Sequence, residues 1–336
     1  MAKRYIAVLR GGPSSEYEVS LKSGRAVKEA LEERYRVKEI TVDKAGIWHV
    51  LGMEVTPHRA VADVDVVFNA MHGEYGEDGQ VQNILQHLGV PFTGPDAFGA
   101  SQSIDKAKSK EIYKRFKMKT PHSVVLLRDR PVEDIALNLF RNFPLPVVIK
   151  PLDKGSSVGV SIARDFKSLH DTLISLFVQS DKLLVEEYIR GQEATVGVIE
   201  GFRNEKIYPL LPIEIRTPTH KDFFDYEAKY TGITEEICPG CFSRKQSAEL
   251  QELAKLAHEI LSLRHYSRSD FIIHPKRGIY ILETNSLPGL TTESLLPKAL
   301  EPIGSSYIEF LEHVIDLACV RKAPMRERKV PQLARL

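Results

Sequence analysis

Cysteine is scarce in this chain: three among 336 residues, Cys238, Cys241 and Cys319, too few for a disulfide framework. Long apolar runs are missing as well. No stretch approaches the ~18–20 residues that cross a bilayer. The opening MAKRYIAVLRGG has too short an apolar part for a secretory leader, and Glu16 and Glu18 follow at once. Neither sign of charge prevails, since 46 Lys and Arg meet 45 Asp and Glu for a net charge of +1. The composition therefore carries no footprint of a nucleic-acid or membrane partner. Internal repeats, low-complexity tracts, the G-x-x-x-x-G-K-[ST] phosphate loop and the G-x-G-x-x-G dinucleotide fingerprint are all absent. What is present is a globular composition, 43% hydrophobic and 27% charged, in a chain too long for one hydrophobic core. A cytoplasmic protein is expected. Cys238 and Cys241 are spaced C-x-x-C, but Pro239 and Gly240 form a turn between them and no second ligand pair follows, so they read as loop residues. The basic run from Arg321 to Lys329 reads as a solvated tail.

Residues 4–10 form an apolar strand, Gly11, Gly12 and Pro13 turn the chain, and a helix is expected over about 19–32 with Ser14 or Ser15 as N-cap. VKEITV is a short strand before a weak hairpin around Lys44 to Gly46. DVVFNAMHG is a buried strand ending in a glycine loop, QVQNILQHLGV a helix and VPFTG a short strand. This alternation predicts a parallel, doubly wound first domain over 1–95. A charged helix over 101–118, the strand SVVLL, a helix over 132–142, the strand PVVIKP, a helix over 166–178 and the strand DKLLVEEYI make a smaller α/β unit over 96–192. The rest, 193–336, opens with ATVGVIEG and KIYPLLPIEI, two strands joined by a turn. It continues with a helix over 246–263, a hairpin and a last helix near 305–320. Between them, Arg216 to Gly240 is polar, aromatic-rich and without periodicity, either a lid or a plain surface loop.

The hairpin RSDFIIHPKRGIYILETNSLPG is the most informative stretch. With its turn centred between Lys276 and Arg277, Asp270 faces Glu283 and Arg268 faces Asn285, and alternation puts all four on one face. Opposed carboxylates repel. A hard cation between them reverses that sign, and Asp, Glu and Asn oxygens suit Mg²⁺ or Mn²⁺ rather than zinc. The alternative is a solvated face with its acids paired to Arg and Lys, and a slip of one residue would separate the set. Gly289, past the strand, either offers its N–H to a developing oxyanion beside Arg268 or serves a plain turn. Lys150 ends PVVIK just before DKGSSVGV, where Gly155 and Gly159 permit close approach of an anion and Ser156 and Ser157 add donors. In LLVEEYIRGQE an adenine could stack on apolar side chains with Glu193 reaching the ribose, although these glutamates fit an exposed edge equally well.

Seven segments recur in one order: GGPSSEYEVSLKSG (11–24), MHGEYGEDG (71–79), DKAKSK (105–110), VVIKPLDKGSSVGV (147–160), FFDYEAKYTG (223–232), RSDF (268–271) and ETNSLPGLTTESL (283–295). On these, over about residues 4–315, the chain resembles the ATP-grasp superfamily and, within it, the D-alanine–D-alanine ligase family. The resemblance implies an α/β with α+β fold of three domains, a Rossmann-like N-terminal domain followed by two that sandwich the nucleotide. It implies ATP-dependent ligation of two D-alanines through D-alanyl phosphate for peptidoglycan precursors, with ATP, two Mg²⁺ (or Mn²⁺) and a homodimer. Lys106 and Lys150 would then bind nucleotide phosphates with Ser156, Ser157 and Lys229 close by. Glu186, Ile189 and Glu193 would hold adenine and ribose. Asp270, Glu283 and Asn285 would carry the metal ions. Glu16 would bind the ammonium of the first D-alanine, and Ser156, Tyr230 and Glu16 would form a hydrogen-bonded set. Arg268 and the Gly289 N–H would polarise the acyl oxygen. His72 would lie near the second substrate, with Ser294 and Leu295 gripping its carboxylate. Ser269 stands where an apolar residue is usual and Ser286 where Thr is common. DYEAKY, with Tyr230, favours an amine as second substrate. A D-alanine–D-serine or D-alanine–D-lactate ligase, or a catalytically silent nucleotide-binding regulator, are the competing readings.

Overall fold

In the computed structural model of the chain, which describes residues 4–152, 159–216 and 235–320, both faces of the first strand are apolar, and this dictates a sheet covered on both sides. β1 (Tyr5–Gly11), β2 (Arg36–Val42), β3 (Trp48–Val50), β4 (Met53–Val55) and β5 (Val66–Asn69) form one sheet in the order β4-β3-β2-β1-β5. β1 runs parallel to β2 and to β5, while β3 and β4 add an antiparallel edge. Alternate side chains of β1 go to opposite layers. Ile6 and Val8 join Val27 and Leu31 of α1 (Tyr17–Glu32), whereas Ala7 and Leu9 join Val61 of α2 (Pro57–Val61) and Val81 and Leu85 of α3 (Gln80–His87). The expected N-caps do not cap α1. Glu16 takes that position with no side-chain bond to the helix's first turn, and Ser14 Oγ instead donates to the His72 carbonyl at 2.7 Å and accepts from the Glu16 N–H at 3.1 Å.

The helix expected over 101–118 is two, α4 (Ala97–Ile104) and α5 (Lys106–Arg115). Asp105 leaves helical geometry at φ −78°, ψ 99°, and its carboxylate accepts from the Ala107 and Lys108 N–H groups. A capping carboxylate competes with helix continuation, and apolar periodicity does not register that competition.

β6 (Ser123–Leu127), β7 (Val147–Pro151), β8 (Ser161–Ala163) and β9 (Lys182–Glu187) make a second sheet, ordered β6-β9-β7-β8. α6 (Val132–Asn142) and α7 (Phe166–Phe177) cover one face, packing Leu139, Leu169 and Leu173 against Val147, Ile149, Leu183 and Val185. By alternation Lys150 and Glu186 point to the other face.

The third sheet contains β10 (Gln192–Glu200), β11 (Ile207–Pro209), β12 (Ile213–Arg216), β13 (Glu235–Ile237), β14 (Tyr266–His274) and β15 (Gly278–Asn285), in the order β13-β12-β10-β14-β15 with β11 also on β10. KIYPLLPIEI is thus two strands, and both pair antiparallel with β10. α8 (Arg244–Ile260) starts at a capping box between Ser243 and Gln246. Its Leu250, Ala254 and Ala257 cover Val196, Phe271, Ile273, Ile279 and Ile281, and Tyr113 and Met118 complete the layer. After the short α9 (Leu295–Lys298), the last helix α10 (Tyr307–Val320) returns to the first sheet, where Phe310, Leu311 and Val314 pack among Leu31, Val66 and Phe68.

The hairpin departs from its expected turn by half a residue and still places its acids as expected. Near the turn the pairs are His274 with Gly278 and Phe271 with Ile281, centred on Lys276; beyond a bulge they are Asp270 with Glu283 and Arg268 with Asn285. Leu282 is the extra residue. Ile279 and Ile281 are buried under α8, whereas Leu282, Glu283 and Asn285 are only half-buried. Without the bulge, Glu283 would follow Ile279 and Ile281 into the apolar layer. Deleting Leu282 would remove the extra residue and leave Glu283 directly after Ile281, still opposite Asp270 in regular alternation, so the variant is expected to keep Glu283 on the site face and to lose no more than about 0.5–3 kcal/mol, as read by urea denaturation. A loss well beyond that range would mean that Glu283 does not stay opposite Asp270 once the bulge is gone.

Candidate functional site

The face of the third sheet turned away from α8 carries Thr195, Arg268, Asp270, Glu283 and Asn285. Arg268 Nε and Nη2 each donate to Asp270 at 3.0 Å. Thr195, paired with Asp270 across the β10–β14 ladder, donates its hydroxyl at 2.5 Å, and Asn285 Nδ2 donates at 3.1 Å. Glu283 lies 3.6 Å from Lys106 Nζ at the start of α5. Burial alone would pull the Arg268 pKa down, but the Asp270 carboxylate and then Glu283 outweigh it and the value is raised. Among the described residues no three His, Cys, Asp or Glu side chains converge as a metal cluster. The expected donors are two carboxylates and an amide, all offering oxygen. Asp270 and Glu283 are directly opposed, a placement that like charges resist and that a hard cation favours. The donor set fits Mg²⁺ or Mn²⁺.

The free face of the second sheet carries the complementary charge. Lys150 Nζ is 2.6 Å from Glu186 Oε2, and Lys110 Nζ is 2.6 Å from Oε1. Glu186 is buried, not on an exposed edge. Burial would raise its pKa, and Lys150 with Lys110 instead lower it. Lys150 is raised, because Glu186 and then Glu283 outweigh the opposing effect of burial. The two faces meet at α5, whose Lys110 lies 2.6 Å from Glu186 and whose Lys106 lies 3.6 Å from Glu283. Ile189 is buried just past β9, and Glu193 opens β10 beside Ile215 and Ile272.

The third wall comes from the first sheet's loops. Glu16 is buried at the start of α1. Its Oε2 passes so close to Gly73 (φ +71°) that a Cβ there would sit 2.7 Å away, so glycine is required on both counts. His72 Nδ1 donates to the Leu287 carbonyl at 3.0 Å. Burial lowers the pKa of His72, and a neutral ring accepts at Nε2 from Ser23 Oγ, 2.8 Å away. Ser23 in turn accepts from the Leu290 N–H at 3.3 Å. Gly289 lies inside this held segment, and a Cβ on it would meet Ser294 Oγ at 2.9 Å. Ser294 also accepts from the Thr291 N–H at 3.1 Å, and Leu295 is the first residue of α9.

Four contributors escaped sequence reasoning. Glu77 accepts from the Gly73 N–H at 2.7 Å through one oxygen, and from the Leu287 N–H and Ser286 hydroxyl at 3.0 and 3.3 Å through the other. Desolvation of this half-buried carboxyl, and next the Glu16 charge, push its pKa up to about 7. Ser23 and Thr195 had no signal in the sequence. Lys110 did, because Lys106 and Lys110 are four apart on one helix and share a face. Ser269, noted as unusual, is accounted for by Thr284, whose Oγ1 lies 2.9 Å from Ser269 Oγ and accepts from Tyr113 OH at 2.9 Å. Ser156, Ser157, Lys229, Tyr230 and residues 217–234 of the lid expected over 216–240 lie outside the described residues, and 235–237 of that range form β13, paired with β12. What is described sets the cations Lys106, Lys150 and Arg268 beside the carboxylates Glu283, Glu186 and Asp270, a charged interior of the kind that can meet a polyanion.

The family model described as "D-ala D-ala ligase N-terminus" matches residues 5–60 and 51–95, and that described as "D-ala D-ala ligase C-terminus" matches 112–316. The chain is 38% identical over 320 residues to the D-alanine–D-alanine ligase of Syntrophobacter fumaroxidans, covering 94% of this chain and 98% of the relative. Among solved structures, the VanG D-Ala:D-Ser ligase from Enterococcus faecalis superposes with a TM-score of 0.81 at 28% identity, covering 94% of this chain and 99% of that one. The D-alanine–D-alanine ligase from Bacillus anthracis complexed with ATP gives 0.78 at 27% identity, covering 95% and 98%.

Glu77→Gln places an amide donor against one of two backbone N–H groups. The expected cost is about 1–3 kcal/mol, the range for a buried polar group left unsatisfied, measured by chemical denaturation. A variant as stable as wild type would show that the Glu77 contacts do not hold the 286–290 segment.

Proposed function

The chain belongs to the D-alanine–D-alanine ligase family and is a ligase, and from that membership we infer that it joins two D-alanines at the expense of ATP to make the D-alanyl-D-alanine of peptidoglycan precursors. One observation carries this reading to the residues: α5 links the Lys150–Glu186 face to the Asp270–Glu283–Asn285 face, with Lys110 2.6 Å from Glu186 and Lys106 3.6 Å from Glu283.

A carboxylate is a poor electrophile and its union with an amine in water is uphill. The proposed route makes it an acyl phosphate. The first D-alanine's carboxylate oxygen forms a bond to the γ-phosphorus, the bond from that phosphorus to the bridging oxygen breaks, and ADP leaves. Lys106 and Lys150 draw the phosphates into place and offset their charge, which is most of the catalysis in phosphoryl transfer. Asp270, Glu283 and Asn285 would hold Mg²⁺ or Mn²⁺, which when bound neutralises further phosphate charge. Glu186, Ile189 and Glu193 hold adenine and ribose, and Glu16 the ammonium of the first D-alanine. The amine of the second D-alanine, having lost a proton, then bonds to the acyl carbon. Arg268 and the Gly289 N–H take up the charge growing on the carbonyl oxygen, the carbon–oxygen bond to phosphate breaks, and inorganic phosphate leaves. His72, Ser294 and Leu295 place the second substrate. Ser156, Ser157, Lys229 and Tyr230 complete the set on the strength of the family likeness alone. Since an acyl phosphate hydrolyses readily, a lid over 216–240 belongs to the reading. So do units over 1–95, 96–192 and 193–336, supported by the three sheets. A homodimer follows from the family likeness, and a cytoplasmic setting from the use of ATP and the free cysteines. No described helix is long and apolar enough to cross a membrane.

Phosphate release with ATP, Mg²⁺ and D-alanine, with mass spectrometry of the dipeptide, tests the reaction. D-Alanine is expected to support turnover and L-alanine not; preference for D-serine or D-lactate as acceptor would move the assignment to a related ligase. ATP binding without phosphate release would favour the silent regulator. Glu283→Gln is expected to lower kcat more than about a hundredfold, the scale of losing a key charge-stabilising group, with circular dichroism unchanged. Wild-type turnover in that variant would remove Glu283 from the charge-stabilising set.

A further inference from the structure

Two lysines flank Glu186, and only one of them is free to serve a phosphate. Lys150 lies on β7, faces the site and also feels Glu283. Lys110 lies on α5, is 1% exposed and donates to Thr120 Oγ1 at 2.8 Å. Its helix is tied to the third sheet through Tyr113 OH and Thr284. It has no path to a triphosphate, so its charge is committed to Glu186. Lys110 Nζ sits 2.6 Å from Glu186 Oε1, a buried oxygen turned away from solvent. The other oxygen, Oε2, lies beside Lys150 on the side that faces the site.

We propose that Lys110 is a positioning residue that sets nucleobase selectivity, as the dedicated counter-ion that keeps Glu186 an acceptor-only carboxylate facing the exocyclic 6-position of the purine. This rests on the reading that Glu186 meets the base of ATP. A buried carboxylate that loses its counter-ion takes up a proton. Once a triphosphate shares Lys150, only Lys110 prevents this. An ionised carboxylate accepts and cannot donate. It therefore matches a 6-amino group and opposes a 6-oxo group, whose lone pairs would point at it. A protonated carboxyl can donate as well as accept, and would tolerate either.

The test compares kcat/KM for ATP and for inosine triphosphate in D-alanine-dependent phosphate release. Wild type is expected to favour ATP by roughly 10–100-fold, the range for an unpaired buried polar group. In Lys110→Met that ratio is expected to fall at least about tenfold, with kcat at saturating ATP within a few-fold of wild type. A folded Lys110→Met with the wild-type ratio would overturn the proposal and leave the ligase reading intact. Wild type that does not distinguish the two nucleotides would instead overturn the placement of Glu186 at the base. Should Lys110→Met fail to fold, Glu186→Gln, alone and combined with Lys110→Met, removes the same negative charge. Both are expected to show the collapsed ratio, and an unchanged ratio in Glu186→Gln would overturn the proposal.

Discussion

An extra residue in one strand puts two acids on the correct side of a sheet, and the charged site depends on that placement. The apolar pattern of β15, read from the turn, would carry Glu283 under α8 with Ile279 and Ile281. Leu282 shifts the phase, so Glu283 and Asn285 share a face with Arg268 and Asp270. Opposed carboxylates are costly in a half-buried setting. Arg268, bidentate on Asp270, and Lys106, beside Glu283, relieve part of that cost. The arrangement is stable enough to form and still suited to further positive charge.

From this hairpin, charges alternate in sign across the interior. Arg268 meets Asp270, Glu283 meets Lys106 and acts on Lys150, and Lys150 and Lys110 share Glu186. The second and third sheets each cover one face with apolar helices and carry charged residues on the other, so the two polar faces can enclose a nucleotide only where their charges complement each other. The same logic separates the lysines: one faces the site, the other is held within the wall.

The first sheet contributes by holding backbone. Glu77, His72 and Ser23 grip Leu287 and Leu290 on either side of Gly289. The last helix, packed on the first sheet through Phe310 and Leu311, fastens the chain beyond that segment to the same domain, and Tyr307 OH on it donates to the Leu290 carbonyl at 2.7 Å. In the proposed role of Gly289 as oxyanion donor, its amide would be positioned by partners on the elements around the first sheet, which would couple that geometry to how the first and third sheets meet.

The sequence by itself determined the local elements: the two-sided apolar run of β1, the helix over 132–142, the opposed Asp270 and Glu283, and seven motif segments whose order pointed to the family. These are legible because periodicity, turn residues and motif spacing act over a few residues. Tertiary structure decided the rest. The capping carboxylate of Asp105 split a helix that its pattern would continue, and Leu282 corrected a turn that the pattern misplaced. The return of α10 to the first sheet, the burial of Glu186 between two lysines and the grip of Glu77 on Leu287 join residues far apart in the chain. Such contacts leave no periodic trace, because burial and charge pairing are settled only when separate elements come within a few ångströms of one another.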